Sequence, residues 1–393
     1  MENRKSFQLT IIISVFLITA AFPQDKQWLQ YHSQRQAYRS VGDMGNSTLR
    51  PSTAKPEGLE LPDFKNDDPL FFQWSSPMVE SGKLWIAVDR TNPKGRWDRL
   101  YIDSNGDGNL NDETVITAYR TDRYYTHFGP VKVVFKGADG PVTYHLDFML
   151  FDRDGRDKRL YTFPGCWYEG QITVGDGTKF CVLIDSNVNG VFNDKSLEAH
   201  ECDRIRIGRQ GDRDTRYVGN YIEVDGVLYE PEIPRDGAYI KLTKAENVRY
   251  GNIRLPDSIS EFSAGGENGL FNIKPENGCG KLPVGKYRIN FWAIDRKDDK
   301  DRQWKLQGRN YSNMGDFDIE ENRDVEQLSI GEPIVSNLRA QVNRGTYSFR
   351  QALEGKLKER ISLTLNGSRP QAPKLHIKSE DGKYDRAFSF KYG

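Results

Sequence analysis

Short apolar runs alternate with polar turns along most of the chain from about Gln73 onward. The runs are rich in β-branched and aromatic residues, as in KLWIAVD, RLYID, VKVVFK and KFCVLID, which is typical of β-strands. Asp-Gly pairs in GADG, VGDG, VDGV and EDGK favour tight hairpin turns between such runs. Hardly any segment has a sustained helical period. The pattern predicts a mainly β protein with little helix, built from two or three units that resemble β-sandwiches or barrels.

Changes in this pattern divide the chain into five predicted parts. A polar segment comes before the first clear strands, because WLQYHSQRQAYRS and GNSTLRPSTAKPEG lack strand alternation. Two more strand groups follow the first one, around KLPVGKYRINFWAID and from EQLSIGEPIV to RAFSFKYG. The predicted parts are a signal peptide at 1–21, a polar N-terminal segment or linker at 22–75, a β domain with two Asp- and Asn-rich loops at 76–205, a sandwich-like domain at 206–315 and a small C-terminal sandwich at 316–393.

The N-terminus has the pattern of a secretory signal peptide. Arg4 and Lys5 precede the apolar run LTIIISVFLITAAF, which ends in small residues. A membrane anchor is the alternative, but the run is shorter than the roughly 20 residues that a spanning helix needs. We therefore expect a secreted, periplasmic or cell-surface protein that has no membrane span after removal of the signal.

Export changes the interpretation of the four cysteines, at 166, 181, 202 and 279. In an oxidising compartment they could form disulfides, and three pairings are possible. Free buried thiols are an equal alternative, since four cysteines in a chain of 393 residues do not make a disulfide framework. No CxxC spacing is present, so a zinc site is not expected.

The stretch YIDSNGDGNLNDE at 101–113 places oxygen-bearing side chains at alternate positions. A calcium loop of EF-hand type takes ligands from positions 1, 3, 5, 7, 9 and 12 and has glycine at position 6. Asp103, Asn105 and Asp107 occupy positions 1, 3 and 5, Gly108 is at position 6, and the main-chain carbonyl of Asn109 is at position 7. The order of residues predicts a calcium site in this first loop.

The stretch LIDSNVNGVFNDK at 183–195 repeats the pattern. Asp185, Asn187 and Asn189 take positions 1, 3 and 5, Gly190 takes position 6, and the carbonyl of Val191 takes position 7. An amide replaces the second acid of the first loop, so we expect weaker calcium binding in the second loop.

Both loops depart from the EF-hand pattern at position 12, where Thr114 and Ser196 replace the usual bidentate glutamate. Nearby acids could complete the ligand set if each loop continues into a strand or irregular chain. These candidates are Asp112 and Glu113 in the first loop and Asp194 and Glu198 in the second. We favour Asp112 and Asp194, which occupy the same place in the two repeats. RLYID and CVLID predict strands before the loops, where an EF-hand has a helix.

These two stretches resemble the DxNxDG calcium loops of EF-hands, dockerins and thrombospondin-type repeats, and the chain as a whole resembles exported bacterial β-proteins. The resemblance implies bound Ca²⁺. The alternative is a metal-free turn, since Asp, Asn and Gly also close turns through bonds to their own backbone.

Charge and motifs exclude several other functions. Lys plus Arg and Asp plus Glu number 56 each, so no net field favours nucleic acid. No GxSxG elbow, HExxH motif or P-loop occurs, and we assign no catalytic residue. We expect an exported calcium-binding protein in which Ca²⁺ stabilises the loops, with an extracellular polysaccharide or a surface protein as its partner. The alternatives are a glycan hydrolase that uses a carboxylate pair and a structural envelope protein.

Overall fold

The computed structural model describes residues 25–392 except 139, 154, 310–314, 322 and 324–326. The predicted signal peptide lies outside the described residues. Within them the regular structure is almost all β-strand, and the helix present is the short α1 at Ala37–Val41. The prediction of a mainly β protein with little helix is confirmed. No helix in the described part of the chain is long and apolar enough to cross a membrane.

The strands follow one another closely along the chain. The first ten are β1 (Gln27–Trp28), β2 (Gln30–Ser33), β3 (Ser47–Leu49), β4 (Leu70–Ser75), β5 (Lys83–Asp89), β6 (Arg99–Ile102), β7 (Ile116–Thr117), β8 (Arg120–Thr121), β9 (Tyr125–Gly137) and β10 (Gly140–Arg153). The next ten are β11 (Asp157–Pro164), β12 (Cys166–Val174), β13 (Gly177–Ile184), β14 (Arg204–Gly208), β15 (Arg216–Tyr217), β16 (Ile222–Val224), β17 (Val227–Glu232), β18 (Tyr239–Lys244), β19 (Tyr250–Arg254) and β20 (Glu261–Gly266). The remainder are β21 (Gly269–Ile273), β22 (Cys279–Pro283), β23 (Gly285–Lys297), β24 (Gln303–Arg309), β25 (Asp316–Ile319), β26 (Val335–Asn343), β27 (Thr346–Glu354), β28 (Arg360–Leu365), β29 (Lys374–Lys378) and β30 (Asp385–Ser389).

Four antiparallel sheets pack around a first hydrophobic core. Their strand orders are β1-β18-β17-β16, β3-β11-β10-β9-β8, β15-β14-β13-β12-β2 and β4-β5-β6-β7. The core takes buried side chains from Leu29 to Leu242, with Phe72 and Trp74 among the most deeply buried. Burial of each such side chain contributes roughly 1.5–3 kcal/mol. The polar segment before residue 76 thus supplies β1 to β4 to these sheets.

A second hydrophobic core lies beneath the strands that follow. It takes buried residues from Ile253 to Ile361 and is covered largely by the sheet ordered β21-β20-β23-β24-β28-β27-β26, in which β25 also pairs with β23. Strands β19 and β22 form a two-stranded antiparallel sheet, and the consecutive strands β29 and β30 form another. The first core extends past position 205, and the domain boundaries given by the sequence stay predictions.

The four cysteines are free in the structure. Cys166, Cys181 and Cys202 are buried, whereas Cys279 is exposed. The structure therefore has the arrangement of free thiols and none of the three pairings.

Candidate calcium site

Strand β6 ends at Ile102 and places Asp103 at the first position of the first loop. The side chain of Asp103 is buried, at 3% exposure. Its Oδ2 accepts a hydrogen bond from the amide of Gly108 at 3.1 Å, while its Oδ1 is buried and accepts none. A buried polar atom without a partner costs on the order of 1–3 kcal/mol. One oxygen of this carboxylate is thus available to a cation.

Burial, with the nearby charge of Asp107, raises the pKa of Asp103, and the amides of Gly108, Gly106 and Asp107 oppose that shift. Desolvation of this kind disfavours the charged form of a carboxylate, whereas a nearby cation favours it. Among the described residues, no cation forms an ion pair with Asp103.

The other polar side chains of the first loop bond to one another and to the loop backbone. Asn105 donates from Nδ2 to Asp107 Oδ2 at 2.8 Å, and the amide of Asp107 donates to Asn105 Oδ1 at 3.0 Å. The amide of Asn109 donates to Asp107 Oδ1 at 2.8 Å. Leu110, at position 8, is fully buried and packs in a small apolar cluster with residues that include Tyr101. Leu110 therefore anchors the first loop to this apolar cluster, while Asn105 and Asp107 are exposed.

Glu113 holds the base of this loop. Its Oε1 accepts the amide of Ser104 at 2.5 Å, and its Oε2 accepts the hydroxyl of the same residue at 3.0 Å. Burial raises the pKa of Glu113, and the bonds from Ser104 oppose that shift. Asp112 is exposed and has no hydrogen bond or ion pair to another described residue. Of the two acids proposed to close the ligand set, Asp112 is thus the one free to turn toward an ion.

Strand β13 ends at Ile184 and places Asp185 at the first position of the second loop. Asp185 is fully buried, and both of its carboxylate oxygens are satisfied. Oδ1 accepts the amide of Val188 at 2.6 Å, and Oδ2 accepts the amide of Gly190 and the hydroxyl of Tyr144, both at 2.7 Å. Burial raises the pKa of Asp185, and these donors oppose the shift. Unlike Asp103, Asp185 has no unpartnered oxygen.

The side-chain amides of the second loop donate hydrogen bonds to an acid of the same loop. Asn187 and Asn189 both donate from Nδ2 to Asp194 Oδ2, at 2.8 and 2.7 Å. The amide of Val191 donates to Asn189 Oδ1 at 2.9 Å. Hydrogen bonds between side chains thus close the second loop without a cation. The Oδ1 of Asn187 is itself buried and has no donor, whereas the Oδ1 of Asn189 already accepts the amide of Val191.

Asp203, directly before β14, contacts the second loop, and the sequence did not indicate it. It is fully buried, and its oxygens accept the amide of Ser186 at 3.0 Å and the amide of Asp194 at 2.8 Å. Burial, together with the charge of Asp185, raises its pKa well above the ordinary range. Asp203 therefore accepts the backbone amide of Ser186, as Glu113 accepts that of Ser104. The sequence signal is the serine shared by both loops at position 2, whose amide needs an acceptor.

Both loops contact the hairpin formed by β9 and β10. The amide of Val134 on β9 donates to the carbonyl of Ser104 at 3.1 Å. On β10, Tyr144 donates to Asp185 in the second loop. The two repeats are therefore joined through one hairpin, although 82 positions separate them in sequence.

Among the residues that the structure describes, no group of three or more His, Cys, Asp or Glu side chains is arranged to hold a metal ion. A calcium loop of the type considered draws also on asparagine side chains and main-chain carbonyls. No protein-family model, curated protein or solved structure matches the chain.

Proposed function

We propose that the protein is an exported β-protein that binds Ca²⁺ in its first loop. Asp103, Asn105 and Asp107 would supply side-chain oxygens, Asn109 its main-chain carbonyl, and Asp112 a further carboxylate. The observation that carries the proposal is the buried Oδ1 of Asp103, which has no hydrogen-bond donor. Calcium would supply the positive charge that this oxygen lacks.

The role proposed for the ion is structural. The first loop leads out of β6, and its residues pair with the segment before β4 through the amide of Glu60, which donates to Gly108 O at 3.0 Å. A cation held by the loop binds the folded state and not the unfolded chain, so its binding free energy adds to stability. The second loop achieves closure by hydrogen bonds, and the proposal gives it no ion.

Thermal unfolding of the mature chain in EDTA and in CaCl₂ tests this role. A ligand at ten times its dissociation constant stabilises a protein by about 1.4 kcal/mol, which is a rise of roughly 2 °C in Tm for a chain of this size. We expect this rise in the wild type and in Asp176→Asn, a control at an exposed hairpin turn. Asp103→Asn keeps an acceptor for Gly108 but removes the charge, and its Tm should not respond to calcium. An equal response in Asp103→Asn would disprove the assignment.

We propose further that the protein acts by binding a polysaccharide or a protein of the cell surface. This part is supported by an open cavity on the face of the sheet β15-β14-β13-β12-β2, with a volume of about 720 Å³. That volume lies within the range of about 300–1,000 Å³ typical of ligand pockets. Binding of labelled surface polysaccharide to the immobilised mature chain, compared with chain unfolded by heat, checks the role.

A further inference from the structure

The cavity on this sheet has a charged row across its floor. Glu169 on β12 pairs with Val182 on β13, which pairs in turn with Arg206 on β14. Residues directly opposite one another in antiparallel strands lie on the same face. All three line the cavity. With strands about 4.8 Å apart, the Cα atoms of Glu169 and Arg206 are about 10 Å apart.

Arg206 is a buried cation without an anionic partner. Its exposure is 8%, and no carboxylate of the described residues lies within ion-pair distance of it. Nη2 donates to the carbonyl of Val41 at 2.7 Å and Nη1 to that of Asp212 at 3.4 Å, while Nε is buried and has no acceptor. A buried charge without a counter-charge is costly. Arg206 therefore has an unused donor at the cavity, and the carboxylates of Asp43 and Glu169 act on its charge only from beyond ion-pair distance.

Two other cations around the cavity have carboxylate partners. Lys179 pairs with Asp225 at 2.5 Å, and Arg216 pairs with Asp214 at 3.1 Å. Arg206 and the exposed Arg209, which also lines the cavity, have no ion pair among the described residues.

Glu169 supplies an acceptor on the other side of Val182. Its Oε2 accepts the indole N–H of Trp167 at 2.8 Å, and its Oε1 lies 3.6 Å from His32 Nε2. The side chain of Glu169 is 28% exposed. An ionised carboxylate only accepts hydrogen bonds, so it suits the hydroxyl groups of a ligand.

We propose that this cavity binds the sugar acid of an acidic oligosaccharide. A carboxylate of the ligand pairs with the planar guanidinium of Arg206, and hydroxyl groups a few ångströms away donate to Glu169. The volume of about 720 Å³ accommodates more than one sugar residue. This inference rests on the binding role proposed above and is independent of the calcium site.

Isothermal titration of the mature chain with a trimer of galacturonic acid tests the proposal. The matched ligand is the same trimer as its methyl ester, which keeps the hydroxyl groups and lacks the charge. We expect binding of the acid at least about tenfold tighter than binding of the ester, as for loss of a charge-assisted hydrogen bond. Equal affinities, no binding of the acid, or tighter binding of a simple amino acid would overturn the inference.

Variants test the residue assigned. Arg206→Gln should weaken binding of the acid about tenfold or more. Arg206→Lys should recover part of the loss, because lysine restores the positive charge but lacks the planar guanidinium that can donate two parallel hydrogen bonds. Arg96→Gln removes an exposed charge that does not line this cavity and should leave the affinity within about twofold. If Arg206→Gln fails to fold through loss of its bond to Val41, the comparison of acid and ester on the wild type decides.

The titrations are run in both EDTA and CaCl₂ to separate the two proposals. Binding of the acid in both solutions, together with a Tm that does not change on addition of calcium, would refute only the calcium site. A Tm that responds to calcium, with no binding of the acid, would refute only the sugar-acid site.

Discussion

The hydroxyl of Tyr144 lies 2.7 Å from Oδ2 of Asp185, and both side chains are fully buried. The bond joins the β9–β10 hairpin to the second loop, and burial together with the nearby Asp185 keeps the pKa of Tyr144 well above its usual value. Asp103, at the same position in the first loop, has no such donor on its Oδ1. The two repeats thus differ at the buried carboxylate that follows the strand. Both oxygens of Asp185 accept hydrogen bonds, whereas only one oxygen of Asp103 does.

Replacement of Tyr144 by phenylalanine should destabilise the protein by about 1–3 kcal/mol, because it leaves Oδ2 of Asp185 with one donor fewer in a buried place. Urea unfolding measures the change. Tyr347→Phe, at a side chain that is 66% exposed, is the control and should stay within about 0.5 kcal/mol. A loss for Tyr144→Phe no larger than that of the control would show that the hydroxyl is not needed.

Val188 combines a strained backbone with a buried side chain. Its φ is +62°, where Gly106 of the first loop has +76° at the same loop position, and its side chain is 1% exposed. Left-handed φ costs a residue with a Cβ roughly 1–2 kcal/mol, and glycine avoids this cost. We expect both Val188→Ala and Val188→Gly to be destabilised, with the glycine variant the more stable of the two.

The expected order of stability of the two Val188 variants is the reverse of the usual one, in which a glycine variant is less stable than the alanine variant by about 0.5–1 kcal/mol. Val218 is equally buried and has no positive φ, so its alanine variant should be more stable than its glycine variant. Thermal unfolding of the four variants checks both orders. The usual order at both sites would show that Val188 is not strained.

Asp147 gives the protein a pH-dependent stability. Burial raises its pKa to about 7, against the opposing amide of Gln36, which donates to Oδ2 at 2.6 Å. The ordinary value is about 3.9. Between these values the folded state keeps a proton that the unfolded chain has lost, so the contribution of Asp147 to stability falls as the pH rises from about 4 to 7.

Asp147→Asn should therefore reduce the loss of unfolding free energy between pH 5 and pH 8, by up to about 3 kcal/mol. Urea unfolding at both pH values measures it, with Asp176→Asn as the control. A pH dependence identical in the Asp147 variant and the wild type would contradict this account of the carboxyl group.

The thiols should differ sharply in reactivity. Burial raises the pKa of Cys166 and Cys181 to about 12 and that of Cys202 to about 11. The thiolate is the reactive form, so only the exposed Cys279 should react with a thiol reagent in the native protein. We expect one labelled cysteine before unfolding and four afterwards, and none in a native Cys279→Ser variant. Fewer than four after unfolding without reductant would reveal a disulfide.

Local patterns in the sequence predicted the features that depend on neighbouring residues. The strands predicted from RLYID and CVLID are present and end directly before Asp103 and Asp185. They were predictable because both the apolar strand residues and the Asx-rich turns that follow are local signals. Leu110 is buried at the position where the loop pattern expects an apolar residue. The pattern also identified the loops themselves as related.

Features that depend on distant pairing were not visible. The bond from Tyr144 to Asp185 and the row from Glu169 to Arg206 arise from the register of strands whose partners no sequence period specifies. Asp203 reaches the second loop only because β14 pairs with β13. The sequence distinguished the loops only by the amide at Asn189, whereas in the structure hydrogen bonds satisfy both oxygens of Asp185 and one oxygen of Asp103.

Titration of CaCl₂ into the metal-free protein by isothermal calorimetry tests directly whether the first loop binds calcium. We expect one site per chain, with a dissociation constant of about 10⁻⁴–10⁻³ M, the range of calcium sites in extracellular modules. The site should disappear in Asp103→Asn and persist in Asp185→Asn. No calcium binding by the wild type, or an unchanged isotherm for Asp103→Asn, would contradict the account.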